Sequence, residues 1–88
     1  RRAGPDDLWL HAVDAPGSHV VILSGGRPVP EAVLLRAAQL AAEHSAARDE
    51  AGVLVAYTRR RYVRPIRGGR PGMVTYRREK TIRVRMSD

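Results

Sequence analysis

Asp7, Trp9 and His11 alternate with Leu8, Leu10 and Ala12 in the run Asp-Leu-Trp-Leu-His-Ala. In an extended segment the two-residue period puts the first three side chains on one face and the last three on the other. Leu8, Leu10 and Ala12 then form a packing face, and the row of carboxylate, indole and imidazole is expected on the solvent side. A stacking plane flanked by hydrogen-bonding groups suits ligand binding or proton transfer. Asp7 and His11 could form an acid/base pair, but no nucleophile motif or phosphate-cradling loop accompanies them. His11, His19 and His44 lack metal-ligand spacing, so no metal site and no cofactor are expected. Gly68-Gly69-Arg70-Pro71-Gly72 has no Walker-type lysine and serine, and reads as a mobile basic loop. A lone tryptophan is most often a partly buried core or edge residue, which stands against a surface role for Trp9.

Charge supplies a second chemistry. The chain has 88 residues and a formal net charge of +7. Residues Tyr57 to Arg85 hold eleven basic side chains, Arg59, Arg60, Arg61, Arg64, Arg67, Arg70, Arg77, Arg78, Lys80, Arg83 and Arg85, against Glu79 alone, a net +10. The remainder, with five basic and eight acidic residues, carries −3. A basic third on a mildly acidic remainder reads as an electrostatic footprint for a polyanion rather than solubility tuning, the alternative being arginine drift in an Ala- and Arg-rich coding background. Ten of the eleven are arginine, whose planar fork grips phosphate and stacks on bases. Tyr57, Tyr62 and Tyr76 lie among them and could supply stacking planes for single-stranded RNA, or pack beneath the arginine stems.

The elements that must position these groups follow from periodicity and punctuation. Pro16-Gly17 breaks the first strand and His19 to Leu23 resumes it. After the turn Ser24-Gly25-Gly26-Arg27-Pro28, Pro30 and Glu31 mark a helix start. Val33, Leu34, Ala37, Leu40, Ala41 and His44 recur at helical steps, so the helix is expected to reach about Arg48, its alanines allowing close approach to a sheet. Val53 to Thr58 is strand-like, Arg61 to Arg64 can be extended, and Pro65 to Pro71 is a loop. Gly72 to Tyr76 and Thr81 to Arg85 read as strands of one hairpin about the turn Arg77-Arg78-Glu79-Lys80, with Ile82 and Val84 facing the core. The expected fold class is α+β, with one long helix packed on a mostly antiparallel sheet of about five or six short strands.

Composition bounds the class further. An apolar content of 43% in 88 residues suits a single domain with one modest core. With no cysteine there is no disulfide framework or thiolate metal site. No apolar run approaches the roughly 18 residues of a spanning helix, so no membrane partner is expected. Because the first residue is Arg1 rather than Met, the chain is expected to be an excised piece of a longer protein.

In order along the chain stand Asp7-x-Trp9-x-His11, Pro16-Gly17-Ser18-His19-Val20-Val21-Ile22, Ala37-Ala38-Gln39-Leu40-Ala41-Ala42 with Ser45 and Arg48, Val55-Ala56-Tyr57-Thr58, Val63-Arg64-Pro65, Pro71-Gly72-Met73-Val74-Thr75-Tyr76 and Lys80-Thr81. Together they resemble the NFACT-R domain, over nearly the whole chain from Asp6 to Met86. Two features depart from that family: its upstream Gly-basic-Asn and Asn-rich stretch do not occur, and Val55-Ala56-Tyr57-Thr58 stands where Val-Asp-Tyr-Thr is frequent, removing a carboxylate. Some members were first named fibronectin-binding proteins.

The resemblance implies a non-enzymatic, cytoplasmic RNA-binding domain, a C-terminal fragment of a longer ribosome-associated quality-control factor. Its expected partners are tRNA or rRNA on the obstructed large ribosomal subunit, and other domains of the parent chain. The expected contacts are Asp7, Trp9, His11 and His19 to bases or riboses, and Arg59, Arg60, Arg61, Arg64, Arg67, Arg70, Arg77, Arg78, Lys80 and Arg83 to phosphates. The alternatives are RNA modification or cleavage through Asp7 and His11, and a module that binds DNA or an acidic protein.

Overall fold

The computed structural model describes residues 2–15, 18–43, 45, 52–70 and 73–85. The element order is β1 (Leu8–Ala12), β2 (His19–Ile22), α1 (Glu31–Ala42), β3 (Val53–Arg59), a 3₁₀ turn (Arg60–Tyr62), β4 (Val63–Pro65), β5 (Val74–Tyr76) and β6 (Lys80–Val84). Four strands form an antiparallel sheet in the order β2-β1-β3-β6, and β4 with β5 forms a separate antiparallel ribbon. Among the described residues, six short antiparallel strands and one α-helix match the α+β expectation, except that the strands are divided four and two.

The register assigns the faces. Leu10 lies opposite Val20 and Tyr57, and Val55 opposite Ala12 and Ile82, so the alternate apolar residues of all four strands share one face. Helix α1 covers it. Ala37, Ala38, Ala41 and Ala42 are buried against Leu10, Ala12, Val53, Val55 and Val84. Small side chains let the helix backbone come close enough for the buried Ser18 hydroxyl to donate to the Ala41 carbonyl at 2.6 Å. Gly52 is held at φ +84 where β3 begins, and a Cβ there would meet the Val84 carbonyl oxygen at 2.6 Å, which reserves the position for glycine.

Three expectations are corrected. The helical stripe is narrower than the periodicity implied: Val33 and Leu40 are 46% and 37% exposed, because the alanine seam, with Leu34 beside it, is what faces the sheet. The helix also stops early. Glu43 donates its amide to the carbonyls of Gln39 and Leu40, and Ser45 turns back to Ala42 by a 3.0 Å backbone bond. The Ser45 hydroxyl then lies 2.8 Å from both Asp14 carboxylate oxygens, a contact that tethers the end of the helix to the turn after β1. His44 and residues 46–48, into which the helix was expected to run, lie outside the described residues, as does Pro16-Gly17.

The third correction is topological. The hairpin pairs β4 with β5 around the loop holding Gly68 and Gly69, and β6 pairs with β3 rather than with β5. Arg61-Tyr62, expected in extended conformation, instead close a 3₁₀ turn that carries the chain from β3 into the ribbon. Pairing on β3 puts Ile82 and Val84 on the helix face, where Val84 is fully buried and Ile82 packs against the core as expected.

Candidate nucleic-acid interface

Trp9 and His11 project from the sheet face opposite the helix, with His19 and Val21 on β2 and Ala56 and Thr58 on β3 beside them. This is the row expected to meet solvent, and it does not. Asp7, Trp9 and His11 are 1%, 5% and 7% exposed. The ribbon lies over the two rings. Trp9 stacks on His11 with ring centroids 5.3 Å apart and planes 9° from parallel, and Tyr76 of β5 closes on Trp9 at 5.2 Å and on His11 at 6.3 Å. The aromatic cluster is therefore the contact between two layers.

Asp7 braces the entrance to β1. The amides of Gly4 and Gly25 donate to its two carboxylate oxygens at 2.7 and 2.8 Å, binding the N-terminal segment and the turn after β2 to the strand. Asp7 and His11 are four residues apart along the strand, roughly 13 Å, with Trp9 between them. They cannot share a proton. Neither ring nitrogen of His11 has a hydrogen-bond partner of good geometry among the described residues. Burial, assisted by His19, lowers the His11 pKa from its usual value, and the weaker influences of the Ala15 backbone and Asp14 oppose this without reversing it. Burial also raises the Tyr76 phenol, with Glu79 adding to the effect. His19 is exposed and lines a cleft of 240 Å³ with Trp9, Arg60 and Val63. No group of three or more metal-donating side chains converges among the described residues.

The arginines are arranged around tyrosines. Arg61, Arg64 and Arg77 line a cleft of 390 Å³ with Tyr62, Thr75 and Tyr76. Arg59, Arg78 and Lys80 line another of 260 Å³ with Tyr57, Tyr62 and Leu8. Asp6 partly neutralises this surface, lying 2.6 Å from Arg61 and 3.6 Å from Arg59, but these side chains are about half exposed and such pairs hold arginine weakly. Arg64 donates to the carbonyls of Arg61 and Val63 at 3.1 and 3.2 Å. Arg67 and Arg70 extend the basic surface along the exposed hairpin loop. Arg83 is separate, pairing with Leu54 towards the far end of β6.

Two residues outside the expected contacts, one of them a tyrosine already noted among the arginines, join these clefts. Tyr62 borders both clefts, and the guanidinium carbons of Arg77 and Arg78 lie 5.8 and 5.3 Å from its ring centroid. Thr58, buried beneath them, donates its hydroxyl to the Arg77 carbonyl at 2.9 Å and more weakly to that of Arg78 at 3.4 Å. A tyrosine among arginines is a visible sequence signal; the role of Thr58 depends on a contact across nineteen positions and has none.

A basic ribbon docked by an aromatic cluster on a helix-backed antiparallel sheet defines a small α+β domain with a cationic, tyrosine-lined surface. No protein-family model matches the chain. The chain is 45% identical over 84 residues to the Rqc2 homolog RqcH of Bacillus subtilis, and 45% identical over the same length to that of Streptococcus suis, each match covering 96% of this chain. It spans only 14–15% of the length of those relatives. Among solved structures, the C-terminal part of the fibronectin/fibrinogen-binding protein from Streptococcus suis superposes with a TM-score of 0.79 at 40% identity, covering 98% of this chain and 35% of that one. The chain is an NFACT-R-like domain.

Proposed function

We propose that this chain is an RNA-binding, non-catalytic domain of a ribosome-associated quality-control factor, acting in the cytoplasm on tRNA or rRNA of an obstructed large ribosomal subunit. The observation that carries the reading is the convergence of Arg61, Arg64 and Arg77 in one tyrosine-lined cleft and of Arg59, Arg78 and Lys80 in the other. Guanidinium forks capture phosphate and tyrosine planes accept bases. Similarity to the RqcH proteins supports the ribosomal setting. Arg67, Arg70 and Arg60 would widen the phosphate track, whereas Arg83 would contribute at its margin. Trp9, His11 and Asp7 act beneath the surface: they hold the ribbon and the β1 entrance in place, so their part in binding is indirect. His19 and Arg60, at the edge of the Trp9 cleft, are the members of that region open to a ligand. The engagement of Asp7 by two amides and its distance from His11 weigh against acid/base catalysis.

The test is the salt dependence of RNA affinity, read by fluorescence anisotropy. Contact with five or six phosphates gives a slope of log affinity against log salt of about −3.5 to −4 for a single strand. A flat response would remove the electrostatic basis of the reading.

A further inference from the structure

We infer that the two clefts are adjoining nucleotide seats for an unpaired RNA segment crossing Tyr62, an inference that rests on the RNA-binding reading above and specifies its ligand as single-stranded. Tyr62 is common to both clefts, with Arg77 lining one and Arg78 the other. Each seat combines the same parts. On one side Arg61, Arg64 and Arg77 offer phosphate forks beside the rings of Tyr62 and Tyr76. On the other, Arg59, Arg78 and Lys80 stand beside Tyr57 and Tyr62. A phosphate track interleaved with stacking planes suits a strand whose bases are turned outward, because bases in a duplex are occupied by their own stack and the A-form major groove is too narrow to admit side chains.

The turn bearing the two arginines is fixed before any ligand arrives. Arg78 has φ +57, a left-handed conformation uncommon for a side-chain-bearing residue. The Thr58 hydroxyl holds the carbonyls of Arg77 and Arg78, and the Arg77 amide donates to the Tyr62 carbonyl at 3.3 Å. With both guanidiniums resting against the Tyr62 ring, less side-chain freedom remains to be lost when phosphate binds. Glycine would hold φ +57 without strain. Arginine there accepts that strain and sets its guanidinium over the Tyr62 ring.

The experiment compares an eight-nucleotide unstructured RNA with a sixteen-base-pair RNA duplex, both fluorescein-labelled, on the 88-residue chain at one fixed salt concentration. Tyr62→Leu should weaken the single strand by about 5- to 150-fold, the equivalent of one stacked base, and leave the duplex within about twofold. Tyr62→Phe should bind the single strand as the parent does. Equal losses on both RNAs, or no loss on either, would overturn the inference and leave a phosphate-only surface, with the RNA-binding reading intact. Absence of binding to both RNAs by the parent chain would remove that reading together with this one. Crosslinking needs no variant and keeps the inference testable should Tyr62→Leu fail to fold. With 4-thiouridine at successive positions of the bound strand, attachment should map to peptides containing Tyr57, Tyr62 or Tyr76, and attachment confined to other peptides would refute it.

Discussion

The row Asp7, Trp9 and His11 on β1 and the group Tyr62, Arg77 and Arg78 beside the ribbon both combine aromatic planes with charged or polar partners, yet they end in opposite surroundings. The rings of the first are sealed between the sheet and the ribbon, stacked on each other with Tyr76 tilted against both, and its carboxylate is held by the amides of Gly4 and Gly25. The second lies outside that seal, with exposed guanidiniums resting on a half-buried ring. The separating factor is what covers each face, since the ribbon consumes the far side of the sheet and becomes the new surface. Residue type alone predicts a capacity for stacking and hydrogen bonding. Layering decides whether that capacity holds the protein together or is offered to a ligand.

The strongest way to break this contrast is to truncate the indole. Trp9→Ala should cost about 3–5 kcal/mol of stability, the range for emptying a large buried aromatic site. For a domain of this size each kcal/mol lowers the thermal midpoint by about 4–8 °C, so calorimetry should show a collapse rather than a shift. RNA affinity should fall with it as the ribbon loosens. A Trp9→Ala chain with an unchanged midpoint would return the row to the surface and reverse the assignment of roles.

Asp7→Ala comes next. Two hydrogen bonds to the buried Asp7 carboxylate, from the Gly4 and Gly25 amides, are lost together. Each bond contributes about 0.5–1.5 kcal/mol, more if charge assists it, and the freed amides can recover water near the chain surface, so a loss of about 2–3 kcal/mol is expected. The salt slope of RNA binding should not change, because no phosphate contact is removed. A change in slope without a change in stability would place Asp7 in the interface after all.

His11 sharpens the contrast through pH. Its folded pKa lies below its unfolded value, so between the two the unfolded chain binds a proton that the folded chain refuses. Stability therefore rises with pH through that window and is lost as pH falls from about 6.5, with a limiting slope of about 1.4 kcal/mol per pH unit for one proton. Denaturation at pH 7.5 and 5.5 measures it. His11→Leu should reduce the pH dependence relative to the parent, which separates this residue from the exposed His19. An undiminished slope would mean that His11 is not held neutral by burial.

Much of this was legible from the sequence, and the failures share a cause. Strand alternation at Leu8, Leu10 and Ala12, the alanine seam of α1, and the inward Ile82 and Val84 were readable because they depend on local period alone. The concentration of arginine after Tyr57 was readable as a sum over the segment. What could not be read was which element covers which face. The pattern of β5 and β6 is equally compatible with a hairpin or with separate partners, and the choice is made by the turn at Arg77 and Arg78, tied to Thr58 of β3. Once β4 and β5 pair with each other and fold over the sheet, a polar-aromatic face that looks solvent-bound by alternation becomes a second core. The helix end was misread for the same reason: a continuing helical pattern yields to Ser45 contacting Asp14, thirty-one residues away.

At the bottom of the stability scale stand the ribbon arginines, and here the comparison is most exposed to test. Replacing Arg61, Arg64 and Arg77 together by glutamine keeps most of each side-chain stem and removes three charges from the 390 Å³ cleft. The ion pair of Arg61 with Asp6 is half exposed and should be worth well under about 1 kcal/mol, and the Arg64 bonds lie at the surface. Stability should move by no more than about 1 kcal/mol, within reach of ordinary surface substitution. RNA binding should change in kind. Three lost phosphate contacts lower the magnitude of the salt slope by about 2, taking about 0.7 per contact for a single strand. Anisotropy titrations at four or five salt concentrations would measure this against the parent chain, with the thermal midpoint recorded on the same samples. A preserved slope would show that phosphate passes elsewhere on the surface. A lowered midpoint with a preserved slope would move these arginines into the structural class occupied by Trp9, and the division between the two regions would fail.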